Sequence, residues 1–120
     1  EKAARAETMQ AGLKVAIAVP LKTMTLGDQA WEPLLEAARY VNINSKSDVQ
    51  VGARSLETGI WGAWQNVLIN MQDITDQAYK KETLAQAEAL ALLKAAPKLA
   101  EHAVLAAAAG DIFQRSAVMN

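Results

Sequence analysis

The chain has no cysteine, one histidine, and aromatic residues at only 5% of its 120 positions. Without cysteine there is no disulfide framework and no thiolate metal site. The single histidine, His102, has no second His and no carboxylate at ligand or catalytic spacing. A packed or solvent-facing imidazole is the simpler account, because a base needs an orienting partner and a metal needs a ligand set. There is no nucleophile elbow, P-loop or dinucleotide fingerprint. Basic residues are scattered and the formal net charge is −1. Electrostatic attraction to nucleic acid or to an anionic membrane therefore has little support. The longest uncharged run near the start, Val15 to Leu21, is too short to cross a bilayer. The expectation from these absences is a cytoplasmic protein with no metal, nucleic-acid or membrane partner.

What the chain does have is alanine and helix formers. Hydrophobic residues make up 52%, and Ala, Leu, Glu, Lys and Gln dominate, which favours helix over strand. At 12.9 kDa the chain is large enough for one core. It opens mid-pattern at EKAARAETMQ, without an initiator Met and without a signal-peptide pattern. A segment of a larger protein, or a processed one, is the expectation.

Taken in order, residues 1–19 read as helix, with Leu13 and Ile17 four apart. Pro20 ends or kinks this helix. Gly27 and Asp28 predict a break, with Asp28 capping a helix to about Val41 and Pro33 early in it. Asn42 to Lys46 is a short polar loop. Ser47 or Asp48 is the natural N-cap of a long central helix ending near Gln72 or Asp73. Thr75 or Asp76 caps a further helix from about Gln77 to Ala95. Its inner positions are Leu84, Ala87, Ala91 and Leu92. Pro97 stops it, and an Ala-rich helix from Lys98 to Ala109 ends at Gly110. The predicted architecture is an all-α antiparallel bundle of four or five helices, one Pro-kinked. Its large apolar residues are few, so another chain or subunit is expected to complete it.

The central helix carries an unusual second face. Gly52, Ser55, Gly59, Gly62, Asn66, Asn70 and Asp73 follow steps of 3, 4, 3, 4, 4 and 3 residues. That spacing keeps them on one stripe. The other face, Leu56, Ile60, Ala63, Trp64, Val67, Leu68 and Met71, is core material. Each Gly costs about 1 kcal/mol relative to Ala inside a helix, so three on one face imply close approach by a helix or a ligand. Asn66 and Asn70, one turn apart, each offer a donor and an acceptor. Backbone, a second subunit or a polar heteroaromatic ligand could satisfy them. Asp48 and Asp76 are first of all helix-terminus residues.

Three strings carry a resemblance to a known family: A-x-x-VPL at Ala16 to Leu21, Ser47–Asp48 with VGA following, and NVLINMQDITD at Asn66 to Asp76. In that order, over roughly Lys2 to Leu93, the chain resembles the cyclodeaminase domain of formimidoyltransferase-cyclodeaminase and the helical methenyltetrahydrofolate cyclohydrolases. On that basis residues 1–95 form the cyclodeaminase-like part, and 96–120 are an Ala-rich helical tail of no assigned origin. The resemblance implies an all-α bundle that forms a homodimer or higher homo-oligomer, with tetrahydrofolate near the subunit interface as substrate and carrier, and no metal. It implies release of ammonia from 5-formimidoyltetrahydrofolate with closure of the 5,10-methenyl bridge, a lyase step in using the one-carbon unit of histidine breakdown. It places Asp48 as the catalytic carboxylate lining the groove, and Asn66, Asn70 and Asp76 as substrate-binding or interface groups. A cyclohydrolase and an inactive interaction module are the alternatives. The sequence departs from the family pattern in having no Gly-rich P-G-G-G-S-like segment, so activity is expected only when that half of the site is supplied. It also reads Met9-Gln10-Ala11-Gly12 where the family often has an acidic residue.

Overall fold

A computed structural model describes residues 1–40 and 43–91 of the chain. The described residues are helical throughout, with no strand. Helix α1 runs Lys2–Tyr40, a 3-10 turn spans Ile43–Ser45, α2 runs Lys46–Met71, and α3 runs Gln77–Leu90. The predicted Ala-rich helix at Lys98 to Ala109 and the tail 96–120 lie outside the described residues.

Of the four or five helices expected, the two predicted N-terminal ones are a single helix, so the described residues hold three, the last predicted helix falling outside them. The helix is continuous through Pro20, Gly27 and Pro33. Its buried side chains explain why. Ile17, Met24, Trp31 and Ala38 are all buried and fall seven residues apart, with Leu35 alongside. That register stays on one helical face from end to end. A break at Gly27 would rotate Trp31 away from Met24.

Gly27 has another role. A Cβ there would lie 2.5 Å from Ile60 Cγ1 and 3.1 Å from Ile60 Cδ1. Here α1 packs tightly on α2, and the missing side chain makes room for Ile60.

The helices α1 and α2 form an antiparallel hairpin. Leu34 lies near Gly52, Gly27 near Ile60, and Gln10 near Asp73, so positions on α1 fall as those on α2 rise. The seam is Ile17, Met24, Trp31, Leu35 and Ala38 against Val49, Ala53, Ile60, Ala63, Val67 and Met71. Ile17 and Val67 are fully buried, each worth roughly 1.5–3 kcal/mol of transfer free energy. Helix α3 then folds back, burying Thr83 and Ala87, with Ala91 buried just beyond its end.

The N-terminus of α2 differs from the expected cap. Ser45, not Ser47 or Asp48, is the N-cap, and it makes no side-chain capping bond. The 3-10 turn at Ile43–Ser45 feeds directly into the helix, which starts earlier and leaves Asp48 inside the first turn. There its charge still complements the helix dipole. Asp76 caps α3 as expected, its side chain accepting from the Tyr79 N–H.

Candidate functional site

Four residues of α1 and six of α2 enclose an open groove of about 420 Å³. The α1 wall is Ala16, Val19, Pro20 and Thr23; the α2 wall is Thr58, Gly59, Gly62, Ala63, Asn66 and Asn70. Two of the strings singled out in the sequence, 46 residues apart from Pro20 to Asn66, thus face each other. The antiparallel register set by Gly27 and Ile60 does this.

The groove exists because its walls are small. Nothing lies within 4 Å of where a Cβ at Gly59 or Gly62 would be. Pro20 contributes shape and chemistry. It has no N–H for the Ala16 carbonyl, and Ala16 and Pro20 are both on the groove wall. A backbone acceptor without its usual helical donor therefore stands beside the opening.

The two amides differ in freedom. Asn70 Nδ2 donates to the Asn66 carbonyl at 2.8 Å, which fixes the Asn70 side chain and leaves Oδ1 to accept from a ligand. Asn66 is exposed and Asn70 half-buried. Thr23 and Thr58 line the same opening, but the Thr23 hydroxyl already donates to the Val19 carbonyl at 3.2 Å. The groove is uncharged, with amide and hydroxyl groups on an apolar floor. That suits a flat, neutral heteroaromatic ring better than a phosphate or a metal. Among the described residues no cluster of His, Asp or Glu could hold a metal ion, and no helix is long and apolar enough to cross a membrane.

The other two expected site residues are elsewhere. Asp48 is exposed in the first turn of α2. It precedes Asn66 by 18 residues, roughly 27 Å at the rise of an α-helix, so one chain does not bring them together. Asp76 belongs to a latch at the opposite end. Lys14 Nζ pairs with Asp76 Oδ2 at 3.1 Å and sits 4.7 Å from the centre of the Tyr79 ring. The Tyr79 N–H donates to Asp76 Oδ1 at 3.1 Å. These donors, the Tyr79 N–H first and Lys14 next, hold the Asp76 carboxyl below its ordinary pKa.

Gln10 completes the latch. Its Nε2 donates to the Asp73 carbonyl at 2.9 Å, and its Oε1 accepts from the Thr75 N–H at 3.0 Å. An acidic residue in this place could accept from Thr75 but could not donate to Asp73. A second recess of about 470 Å³ lies beside the latch, lined by Ala6, Glu7, Gln10, Ala11, Lys14 and Thr75. It shares no wall with the groove. Lys14, Thr23 and Thr58 were not picked out from the sequence, and Gln10 was noted only as a departure from the family pattern. The i, i+4 spacing of Gln10 and Lys14 puts them on one helical face, the one signal that could have grouped them.

Residues 1–89 match the formiminotransferase-cyclodeaminase family. The chain is 51% identical over 75 residues to the formimidoyltransferase-cyclodeaminase of Dictyostelium discoideum, covering 62% of this chain and 14% of that protein. It is 47% identical over 83 residues to the mouse protein of the same name, covering 69% and 15%. A methenyltetrahydrofolate cyclohydrolase from Methylorubrum extorquens is 34% identical over 90 residues, covering 75% of this chain and 43% of that protein. The chain thus spans about a seventh of the length of the bifunctional relatives it matches.

Proposed function

The chain belongs to the formiminotransferase-cyclodeaminase family, and we propose that its α1–α2 groove is one wall of a tetrahydrofolate site serving a cyclodeaminase. The observation that carries this reading is the convergence of Ala16, Val19 and Pro20 with Gly59, Gly62, Asn66 and Asn70 on one open groove. Small residues leave room for a flat ring, and the amides can read its donors and acceptors.

The proposed reaction is ring closure of 5-formimidoyltetrahydrofolate. The N10 lone pair attacks the formimidoyl carbon, and the N10 proton passes to the imine nitrogen, giving a five-membered ring that carries an amino group. A second proton converts that amino group to ammonia as its C–N bond breaks. The cationic 5,10-methenyl bridge remains. Because the reaction is intramolecular, holding N10 against the carbon supplies much of the rate. Proton delivery and stabilisation of the cationic carbon fall to a carboxylate. Asp48 is the residue proposed for this; it lies at the far end of α2 from Asn66, so in this reading it acts in a homo-oligomer and not within one chain. Asn66 and Asn70 orient the ring. Asp76 acts through the latch, holding α3 on α1, and keeps a proposed place at the margin of the site. No metal or further cofactor is part of this scheme. A homo-oligomeric, cytoplasmic enzyme supplying one-carbon units from histidine breakdown is the corresponding setting.

The cyclohydrolase reading shares the groove and the carbon centre but uses water in place of ammonia. Identity favours the cyclodeaminase, at 51% and 47% against 34%. The test is titration with 5-formyltetrahydrofolate, with and without the family's Gly-rich segment, followed by ammonia release from the formimidoyl substrate. Binding and ammonia support the cyclodeaminase; binding with methenyl hydrolysis but no ammonia supports the cyclohydrolase. No binding in either condition overturns both and leaves the interaction module.

A further inference from the structure

We infer that the back of the hairpin, beyond the end of α3, is an interaction surface, and that the chain's own C-terminal segment, from Lys94 to His102, docks on it. The surface faces away from the groove, and its occupation is independent of the folate reading.

Helix α3 covers only part of the back. Tyr79, near its start, lies against Lys14. The helix returns antiparallel to α2 after the turn at 72–76, and so runs in the same direction as α1. Ala91, buried at its end, is twelve residues past Tyr79, which by helix rise makes it level with Leu26. On α1, Lys14, Leu21 and Asp28 fall seven apart and share one side of the helix. That side turns from apolar to acidic where α3 stops. Asp28, Glu32 and Glu36 follow at steps of four. Glu32 and Glu36 are exposed and Asp28 is half-buried. Asp28 and Glu32 have no ion pair among the described residues.

On α2 the same level is marked by Trp61, 53% exposed, beside the Ile60 that packs on Gly27. Trp64, one turn on, buries its Nε1 with no hydrogen-bond partner among the described residues. Trp61 and Trp64 each stand two residues from a groove glycine, roughly 200° round the helix, so both belong to the back.

The sequence after Ala91 is complementary to this surface. Lys94, Lys98 and His102 are also four apart. They stand 3, 7 and 11 residues past Ala91, while Asp28, Glu32 and Glu36 stand 2, 6 and 10 past Leu26. Base meets acid at each step, and a slip of one turn pairs Lys94 with Glu32 and Lys98 with Glu36. Glu101, the one acid between Ala91 and Gly110, falls off that spacing. Leu92 and Leu93 follow directly on Ala91, at the level of Trp61. A segment tethered this closely has an effective concentration of roughly millimolar, which favours it over the same segment of a second copy. The family match stops at residue 89, so this contact belongs to the chain's own C-terminal segment. Residues 94–102 lie outside the described residues, and their seat is what is inferred.

The cysteine-free chain makes a disulfide scan readable. Glu36→Cys with His102→Cys, in the full chain, leaves both lysine pairs intact. It should oxidise to an intramolecular bridge, for which the Cα atoms must come within roughly 7 Å. Val51→Cys with His102→Cys puts the first thiol at a similar height on the groove side and should not bridge. Glu36 and Val51 are exposed, so neither substitution disturbs the core. Adding Asp28→Lys and Glu32→Lys should slow the Glu36–His102 bridge about fivefold, the effect of two exposed ion pairs. Further adding Lys94→Glu and Lys98→Glu should restore it. In the unsubstituted chain, amide exchange over residues 98–109 should be slowed. No bridge at Glu36, or free exchange over 98–109, overturns the docking. So does a bridge at Val51 as fast as at Glu36, which places the segment on the groove, or a bridge that links two chains, which gives the surface to a second copy. A Glu36 bridge indifferent to charge reversal overturns the pairing of acids with bases.

Discussion

Gly27 and Gly59 are both helical glycines, and their surroundings make opposite predictions. At Gly27 an added methyl meets Ile60 Cγ1 at 2.5 Å, a branch atom close to the backbone that cannot swing clear. Overpacking of this kind costs about 1–3 kcal/mol, against about 1 kcal/mol gained in helix propensity. Gly27→Ala should therefore lose about 1 kcal/mol net in chemical denaturation. At Gly59 and Gly62 a methyl meets nothing within 4 Å. Gly59→Ala should raise the stability of the chain in chemical denaturation by up to about 1 kcal/mol. Asp76 gives a pH prediction. The Tyr79 N–H and Lys14 hold its folded-state pKa below the ordinary 3.8, so its contribution to stability is full above about pH 4 and is lost as pH falls through the folded value. Asp76→Asn keeps a good N-cap and removes the charge. The variant should flatten this acid limb in a pH series of denaturation curves, with α3 still helical by circular dichroism.

At the scale of elements, the helices were legible from spacing and their ends less so. The seven-residue register of Ile17, Met24, Trp31 and Ala38 was present in the sequence. Local rules outweighed it at Gly27 and Pro20, and one helix was expected as two. Packing along the seam with α2 overrides both local signals, because each turn on either side of Gly27 buries a residue against the same partner. The α2 start moved for a similar reason: the 3-10 turn at Ile43–Ser45 leads into the helix without a side-chain cap. By contrast the Asp76 cap was legible, since its partner Tyr79 is three residues on and depends on no distant contact. The Gln10 bonds to Asp73 and Thr75 span 63 and 65 residues, and no local pattern announces them. Gln10→Ala should cost about 1 kcal/mol and speed amide exchange in the 74–76 turn and α3, leaving the α1–α2 seam unchanged. Exchange that rises equally along α1 and α2 would show that the turn is not held by this latch.

For the whole molecule the governing fact is thinness. The fold measures 63 × 24 × 18 Å, so its shortest dimension is under two helix diameters, and among the described residues one broad face of the hairpin is left open. The lining of the candidate groove was partly legible: Gly59, Gly62, Asn66 and Asn70 of the stripe and the VPL string stood out, and the hairpin brings them to one groove. What the sequence could not show was that Asp48 and Asp76 lie away from the groove, because position along a helix becomes distance only once the partner helices are in place. The central claim is that the α1–α2 groove, and not the recess beside Gln10 and Lys14, receives the folate ring. Titration of the isotope-labelled chain with 5-formyltetrahydrofolate, in the presence of the family's Gly-rich segment and followed by amide chemical shifts, tests it directly. The account predicts changes concentrated at Val19, Thr23, Gly59, Gly62, Asn66 and Asn70. Changes centred on Gln10, Lys14 and Thr75, or no change at saturating ligand, would contradict it.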